Sequence, residues 1–116
     1  MAKPAETTVF THIARRIPNW KPKVILDIGA NVGQSALAFA TACPEALVHS
    51  FEPVPSAFRK LHANTRHLDN VMTHPIGLGR EGAILRMSDG KISTQNRILD
   101  SGDLSGVEVT IHKGAD

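Results

Sequence analysis

Apolar positions change their period several times along this chain, and each change marks an element. Over residues 5–17, AETTVFTHIARRI, Val9, Phe10, Ile13, Ala14 and Ile17 share one helical face, with Glu6, His12, Arg15 and Arg16 opposite. Pro18 stops this helix, and PNWKP over 18–22 reads as a connector whose Trp20 packs the helix onto a sheet. Val24–Ile28, VILDI, is nearly unbroken apolar sequence, which suits a parallel strand covered on both faces. GQSALAFATA over 33–42 reads as a helix closed by Cys43 and Pro44, and LVHSF over 47–51 as a second strand. Together they have the size of a right-handed strand–helix–strand crossover.

Pro55 suits the first turn of the next helix, where its missing N–H costs nothing. That helix is expected over 55–67, with Ala57, Phe58, Leu61 and Thr65 facing the sheet. Val71–Pro75 is a weaker third strand. A β-α-β-α-β alternation argues for an α/β, three-layer architecture. The tail differs: Gly77, Gly79, Gly82 and Gly90 interrupt it, around a short strand at Ala83–Met87. Residues 88–106 are polar and read as a long loop, and Val107–His112 alternates like a half-exposed strand. One domain results: helix and connector over 1–22, a βαβαβ core over 23–78, and a hairpin and loop tail over 79–116.

Composition narrows this picture little. Hydrophobic residues at 41% and charged residues at 21% are ordinary for a soluble globular chain. A net charge of +2 is too small to argue for nucleic acid. No apolar run approaches the roughly 20 residues of a membrane span, and the first ten residues lack a signal-peptide core. Cys43, the single cysteine, excludes an internal disulfide and fits a reducing compartment, so a cytoplasmic setting is expected.

Candidate chemistry gathers where the first strand ends, in Asp27-Ile28-Gly29-Ala30-Asn31-Val32-Gly33. Glycine lets backbone bend sharply and approach a ligand, and cofactors bind in crevices outside the carboxyl ends of parallel strands. A dinucleotide fingerprint would place glycine where Asn31 and Gln34 stand, which counts against an NAD-dependent dehydrogenase. A P-loop is excluded, since no Gly-Lys-Ser/Thr follows. Glu52 ends the second strand, 23 residues after Gly29, where a carboxylate can accept both ribose hydroxyls. Asp27, near the turn, can meet a cationic amine. An acidic nucleoside site without a phosphate cradle points to S-adenosylmethionine.

VILDIGANVGQSALAF, VHSFEPVPSAFRKLHAN and a glycine-containing segment after the third strand resemble the FkbM-type methyltransferases. The resemblance covers roughly residues 23–87, and D-I-G-A-N-x-G with F-E-P is specific as a pair. It implies a class I, Rossmann-like, S-adenosylmethionine-dependent enzyme transferring a methyl group to a small-molecule or sugar hydroxyl. By that resemblance Asp27, Gly29, Ala30 and Gly33 line the methionine part of the cofactor. Asn31 shapes the loop, and Gln34 and Ser35 open the following helix. Glu52 holds the ribose, Pro53 and Val54 lie beside the adenine, and Gly77 falls near it.

Departures from the family matter equally. Its Lys-x-Asp-x-Glu-Gly strand has no counterpart here, and of the class I strand order 3-2-1-4-5-7-6 only 3-2-1 is supplied. Strand 24–28, normally central, is left with an open edge, which invites pairing with another chain. The tail strand folds back over it, a second copy pairs with it, or the chain is part of a longer protein. A non-catalytic cofactor-binding or chain-pairing module is therefore the alternative function. His62 and His67 are five apart and share no helix face, so no metal site is expected. Arg59, Lys60, His62 and Arg66 read as a solvated face, and Cys43 as packing. No motif marks His74 or Asp100 as a base, and the catalytic residues stay unassigned.

Overall fold

The computed structural model describes Arg16 and residues 19–89, 98–99 and 105–114. Apart from Arg16, the expected helix over 5–17 lies outside the described residues, as do Asp100 and most of the 88–106 segment. Strand β1 (Val24–Ile28) leads through the glycine turn into helix α1 (Gln34–Ala42), then β2 (Leu47–Phe51), α2 (Pro55–Thr65) and β3 (Val71–His74). All three strands are parallel in the order β1-β2-β3, so the α/β, Rossmann-like half-sheet expected from the sequence is present.

Parallel register stacks residues in rows across the sheet. Asp27, Ser50 and Thr73 form one row, and Leu26, His49 and Met72 the next. Ser35 of α1 bonds to Asp27, and His62 of α2 bonds to Thr73, so both helices cover the face that carries the first row. Ala30, Ala36 and Leu61 form the core there, with Phe58 and Val71 packed against them. Two right-handed crossovers moving the same way along the sheet require this placement.

The opposite face is different. Val24, Leu26 and Ile28 are 59%, 58% and 61% exposed, and Leu47 and Met72 extend the same open surface. Cover on both faces of β1 was the expectation, and it is met on one. Along β1 only Asp27 is fully buried, because the strand sits at the sheet edge rather than its centre.

Helix ends are held by specific groups. Pro55 takes the first helical position of α2, as expected. Asn70 Nδ2 donates to the carbonyls of Ala40, Cys43 and Ala46 at 3.3, 3.4 and 3.1 Å, satisfying acceptors that the end of α1 leaves open. Both helices stop short of their expected spans at the far end or start one residue late, the ordinary uncertainty of a helix boundary.

Beyond β3 the chain builds a second sheet from β4 (Gly77–Gly79), β5 (Ala83–Met87) and β6 (Val107–Lys113), in the order β4-β6-β5. β6 runs parallel to β4 and antiparallel to β5. The tail strand therefore pairs inside its own sheet and leaves the edge of β1 uncovered by it. Val109 packs with Val54 and Ala57 at the start of α2, fixing the second sheet beside the end of β2. That position brings Gly77 of β4 against Pro53, the residue after Glu52.

Candidate cofactor site

The site forms at the carboxyl ends of β1 and β2. The turn after β1 is pinned by its own N–H groups. Gly29 and Ala30 both donate to the Phe51 carbonyl, at 3.0 and 2.9 Å, and Gly33 donates to the Ala30 carbonyl at 3.1 Å. Asn31 N–H donates to Glu52 Oε1 at 2.8 Å. Positive φ at Gly29 (74°), Asn31 (58°) and Gly33 (107°) makes so tight a path possible. A Cβ placed at Gly33 would meet Leu61 and Thr65 at 3.4 Å, an ordinary contact, so the positive φ rather than the packing calls for glycine here.

Two buried carboxylates flank the turn. Asp27, 6% exposed, accepts from Ser35 Oγ at 2.9 and 3.1 Å and from Ser50 Oγ at 3.0 Å. Glu52, 7% exposed, accepts from Asn31 N–H through one oxygen and from Val54 N–H, at 3.0 Å, through the other. Among the described residues the groups that meet them are hydroxyls and backbone N–H. A carboxylate offers about four lone-pair directions, so Glu52 keeps acceptor capacity beyond its two N–H partners. The arrangement places two carboxylates beside a backbone turn whose N–H groups at Gly29, Ala30, Asn31 and Gly33 are already engaged.

Other expected site residues are distributed unevenly. Ser35 is tied to Asp27 in the first turn of α1, while Gln34 beside it is exposed. Ala30 points into the core with Ala36 and Leu61, so it offers the turn only backbone. Val54 is 1% exposed and packs with Ala57 and Val109, so its contribution near Glu52 is likewise its N–H. Pro53 is half-buried. Gly77 opens β4 and is buried, with the Ile111 side chain 2.6 Å and Pro53 3.4 Å from a Cβ built there. Gly77 therefore permits the second sheet to close on Pro53.

Ser50 was not singled out from the sequence, yet it links Asp27 to β2. Its signal was parity: in LVHSF, Val48 and Ser50 share the buried face with Asp27's row. A hydroxyl at a core position opposite an acid marks a partner for that acid.

Histidines and Cys43 lie elsewhere. His49 Nδ1 and His74 Nε2 share a hydrogen bond of 3.0 Å on the open face, with Phe51 stacked on His74 at 4.6 Å. Burial, with repulsion from His49 second, lowers the pKa of His74. Arg59, Lys60, His62 and Arg66 are exposed, and burial raises the Cys43 thiol. Among the described residues no three His, Cys, Asp or Glu side chains gather as metal ligands, and no helix is long and apolar enough to cross a membrane. A groove of about 350 Å³ lined by Trp20, Pro22, Cys43 and Ala46 lies at the amino ends of the strands, away from both carboxylates.

No protein-family model matches the chain. Among curated proteins it is similar to the AMB antimetabolite synthetase AmbE of Pseudomonas aeruginosa, 43% identical over 56 residues, which are 47% of this chain and 3% of that protein. Among solved structures it is similar to coclaurine N-methyltransferase bound to N-methylheliamine and SAH, with TM-score 0.48 and 20% identity over 61% of this chain and 22% of that one. It is also similar to P. horikoshii TYW2 in complex with MeSAdo, with TM-score 0.45 and 23% identity over 64% of this chain and 28% of that one. The chain spans a small part of the length of each.

Proposed function

We propose that this chain is the cofactor-binding portion of an S-adenosylmethionine-dependent methyltransferase of the FkbM type, acting on a hydroxyl of a small molecule or sugar. One observation carries the reading: buried Asp27 and Glu52 flank a glycine turn whose N–H groups at Gly29, Ala30, Asn31 and Gly33 are already bonded within the chain. A pyrophosphate needs free N–H donors and is repelled by nearby acids. A nucleoside bearing a sulfonium and an ammonium needs neither donors for phosphate nor the absence of acids. Glu52 would take the ribose hydroxyls on its remaining lone pairs. Asp27, held by two serines, would supply negative potential to the cationic end.

When bound, the cofactor would supply an electrophilic methyl group carried on a sulfonium. This chain's part in methyl transfer is to hold and orient the cofactor. A cytoplasmic setting accompanies the reading, in keeping with unpaired Cys43.

Exposed Val24, Leu26 and Ile28 on an edge strand favour a second reading, a module that binds cofactor or pairs with another chain without turnover. Calorimetric titration with S-adenosylmethionine and with NAD, with methyl transfer to hydroxyl acceptors followed separately, tests both. Binding of S-adenosylmethionine with turnover supports the first reading, and binding without turnover the second. A folded chain that takes NAD and not S-adenosylmethionine overturns the cofactor assignment.

A further inference from the structure

β3 is the other edge of the first sheet, and it differs from β1 in what surrounds it. Val48 N–H donates to the Asn70 carbonyl, and Glu52 N–H to the His74 carbonyl. In a parallel pair, residues that bond to the neighbouring strand alternate with residues that face away. Asn70, Met72 and His74 therefore face β2. The backbone N–H and C=O of Val71 and Thr73 point to the open side, where no strand pairs among the described residues. A groove of about 290 Å³ lies between this strand and α2, lined by Val71 and Thr73 and by His62, Arg66 and Leu68. His62 Nδ1 stands 3.2 Å from Thr73 Oγ1, which holds this face of the helix beside the strand.

Charge selects what fits. Arg59, His62 and Arg66 lie on one stripe of α2, and all three are exposed. From Pro55 to Leu68 the sequence has Arg59, Lys60, His62, Arg66 and His67 and no acid. Asp69, the acid that follows Leu68, is exposed and outnumbered by these groups. A basic edge repels a second copy of itself, unlike the apolar edge of β1, and it attracts an acidic strand.

We propose that the β3 edge is a docking site for an extended acidic peptide segment of a protein partner, which adds to β3 as a strand and sets its carboxylates against Arg59, His62 and Arg66. Backbone pairing with Val71 and Thr73 supplies affinity, and the side chains supply selection. Side chains alternate across a strand. Those on the α2 side of the added strand meet the basic stripe, and those on the other side lie beside Met72, which is 49% exposed. The segment that fits therefore alternates acidic and apolar residues.

Titration of the full chain with acetyl-Glu-Val-Glu-Val-Glu-Val-Glu-amide tests this, read by anisotropy of the labelled peptide and by amide hydrogen exchange. Expected are saturable binding that weakens as salt rises from about 0.05 to about 0.5 M, and slowed exchange at the Val71 and Thr73 amides. Arg59→Glu combined with Arg66→Glu changes two exposed positions, so the melting temperature should stay within a few degrees while affinity falls about tenfold or more. The same peptide N-methylated throughout keeps its charge, loses its backbone donors and should not bind. Equal affinity for the N-methylated peptide, or unchanged exchange at Val71 and Thr73, would show charge attraction without strand addition and overturn the proposal. Parent-like affinity in the doubly reversed variant overturns it too, as does tighter binding of a single-stranded oligonucleotide of equal charge. A parent chain that leaves the peptide free overturns it outright.

Discussion

Ser50 Oγ on β2 donates to Asp27 Oδ2 on β1 at 3.0 Å, between residues in direct register across the sheet. Both residues are buried, Ser50 completely. A hydrogen bond to a buried carboxylate is worth about 1.5–3 kcal/mol, and its loss leaves the charge short of one donor. Ser50→Ala is therefore expected to destabilise the chain by about 1.5–3 kcal/mol in urea unfolding. Ser50→Ala with Asp27→Asn should lose less than the sum of the two single changes, because the residues act on one interaction. Additive losses would show that the two residues contribute independently.

Glu52 joins three segments: its own strand, the turn at Asn31 and the entry to α2 at Val54. Glu52→Gln replaces one accepting oxygen with a donor that faces an N–H. The expected cost is about 1–3 kcal/mol of stability, together with loss of the charge proposed to meet the ribose. Affinity for S-adenosylhomocysteine should fall by more than tenfold, measured at a temperature where the variant is still folded. Unchanged affinity would remove Glu52 from the cofactor site and leave it as a loop anchor.

Gly33 precedes α1 at φ 107°, outside the range that other residues adopt without strain. Its neighbours Leu61 and Thr65 stand 3.4 Å from an added Cβ. Gly33→Ala should cost about 1–3 kcal/mol through backbone strain, since its neighbours leave room for a methyl group. Gly29, at φ 74°, lies nearer the left-handed helical region, so Gly29→Ala should cost less. The ordering of the two in thermal unfolding is the check, and equal losses would show that the larger φ adds no strain.

Much of this site was legible because it depends on local rules. The run VILDI, the glycines at 29 and 33 and the proline at 55 each imposed a strand, a turn or a helix start that the structure contains. Side-chain direction was harder. Val54 and Gly77 sit close to Glu52 in the chain or in space, yet both face the second core, because β6 returns to pack there. That return is a long-range pairing between β6 and strands about 20 to 34 residues earlier, and no local period encodes it. Asn70 escaped notice for a related reason: its three acceptors lie 24 to 30 residues earlier in the chain. The open face of β1 was misjudged because an apolar run indicates burial on two faces, without saying which neighbours supply it.

His74 makes stability depend on pH. Its pKa is lowered by burial first and by His49 second, with Phe51 stacked on its ring. The unfolded chain then binds more protons than the folded one as pH falls below the ordinary histidine value near 6.5. Stability should therefore be full above that value and decline on acidification until the folded-state pKa is passed. Protonation also ends the neutral pairing of His49 with His74. Melting temperature measured from pH 7.5 to 5 should fall, and His74→Gln should flatten the decline. An identical slope in the variant would place the dependence on another group.

The open face of β1 predicts self-association. Val24, Leu26 and Ile28 project from an edge strand, and Leu47 continues the surface on β2. An apolar strand edge with no partner among the described residues offers backbone N–H and C=O groups to another strand, and two copies related by a two-fold axis offer the same edge to each other. Antiparallel pairing centred on Leu26 would set Val24 of one copy against Ile28 of the other. Sedimentation equilibrium should show a mass that rises with concentration. Leu26→Lys should keep the chain monomeric at the same concentrations, since a charge on the exposed face and beside its own copy opposes pairing. Because Leu26 is 58% exposed, this substitution should leave the melting temperature of the monomer nearly unchanged. A parent chain that stays monomeric throughout, or a Leu26→Lys chain that associates equally well, would show that β1 is not the pairing edge.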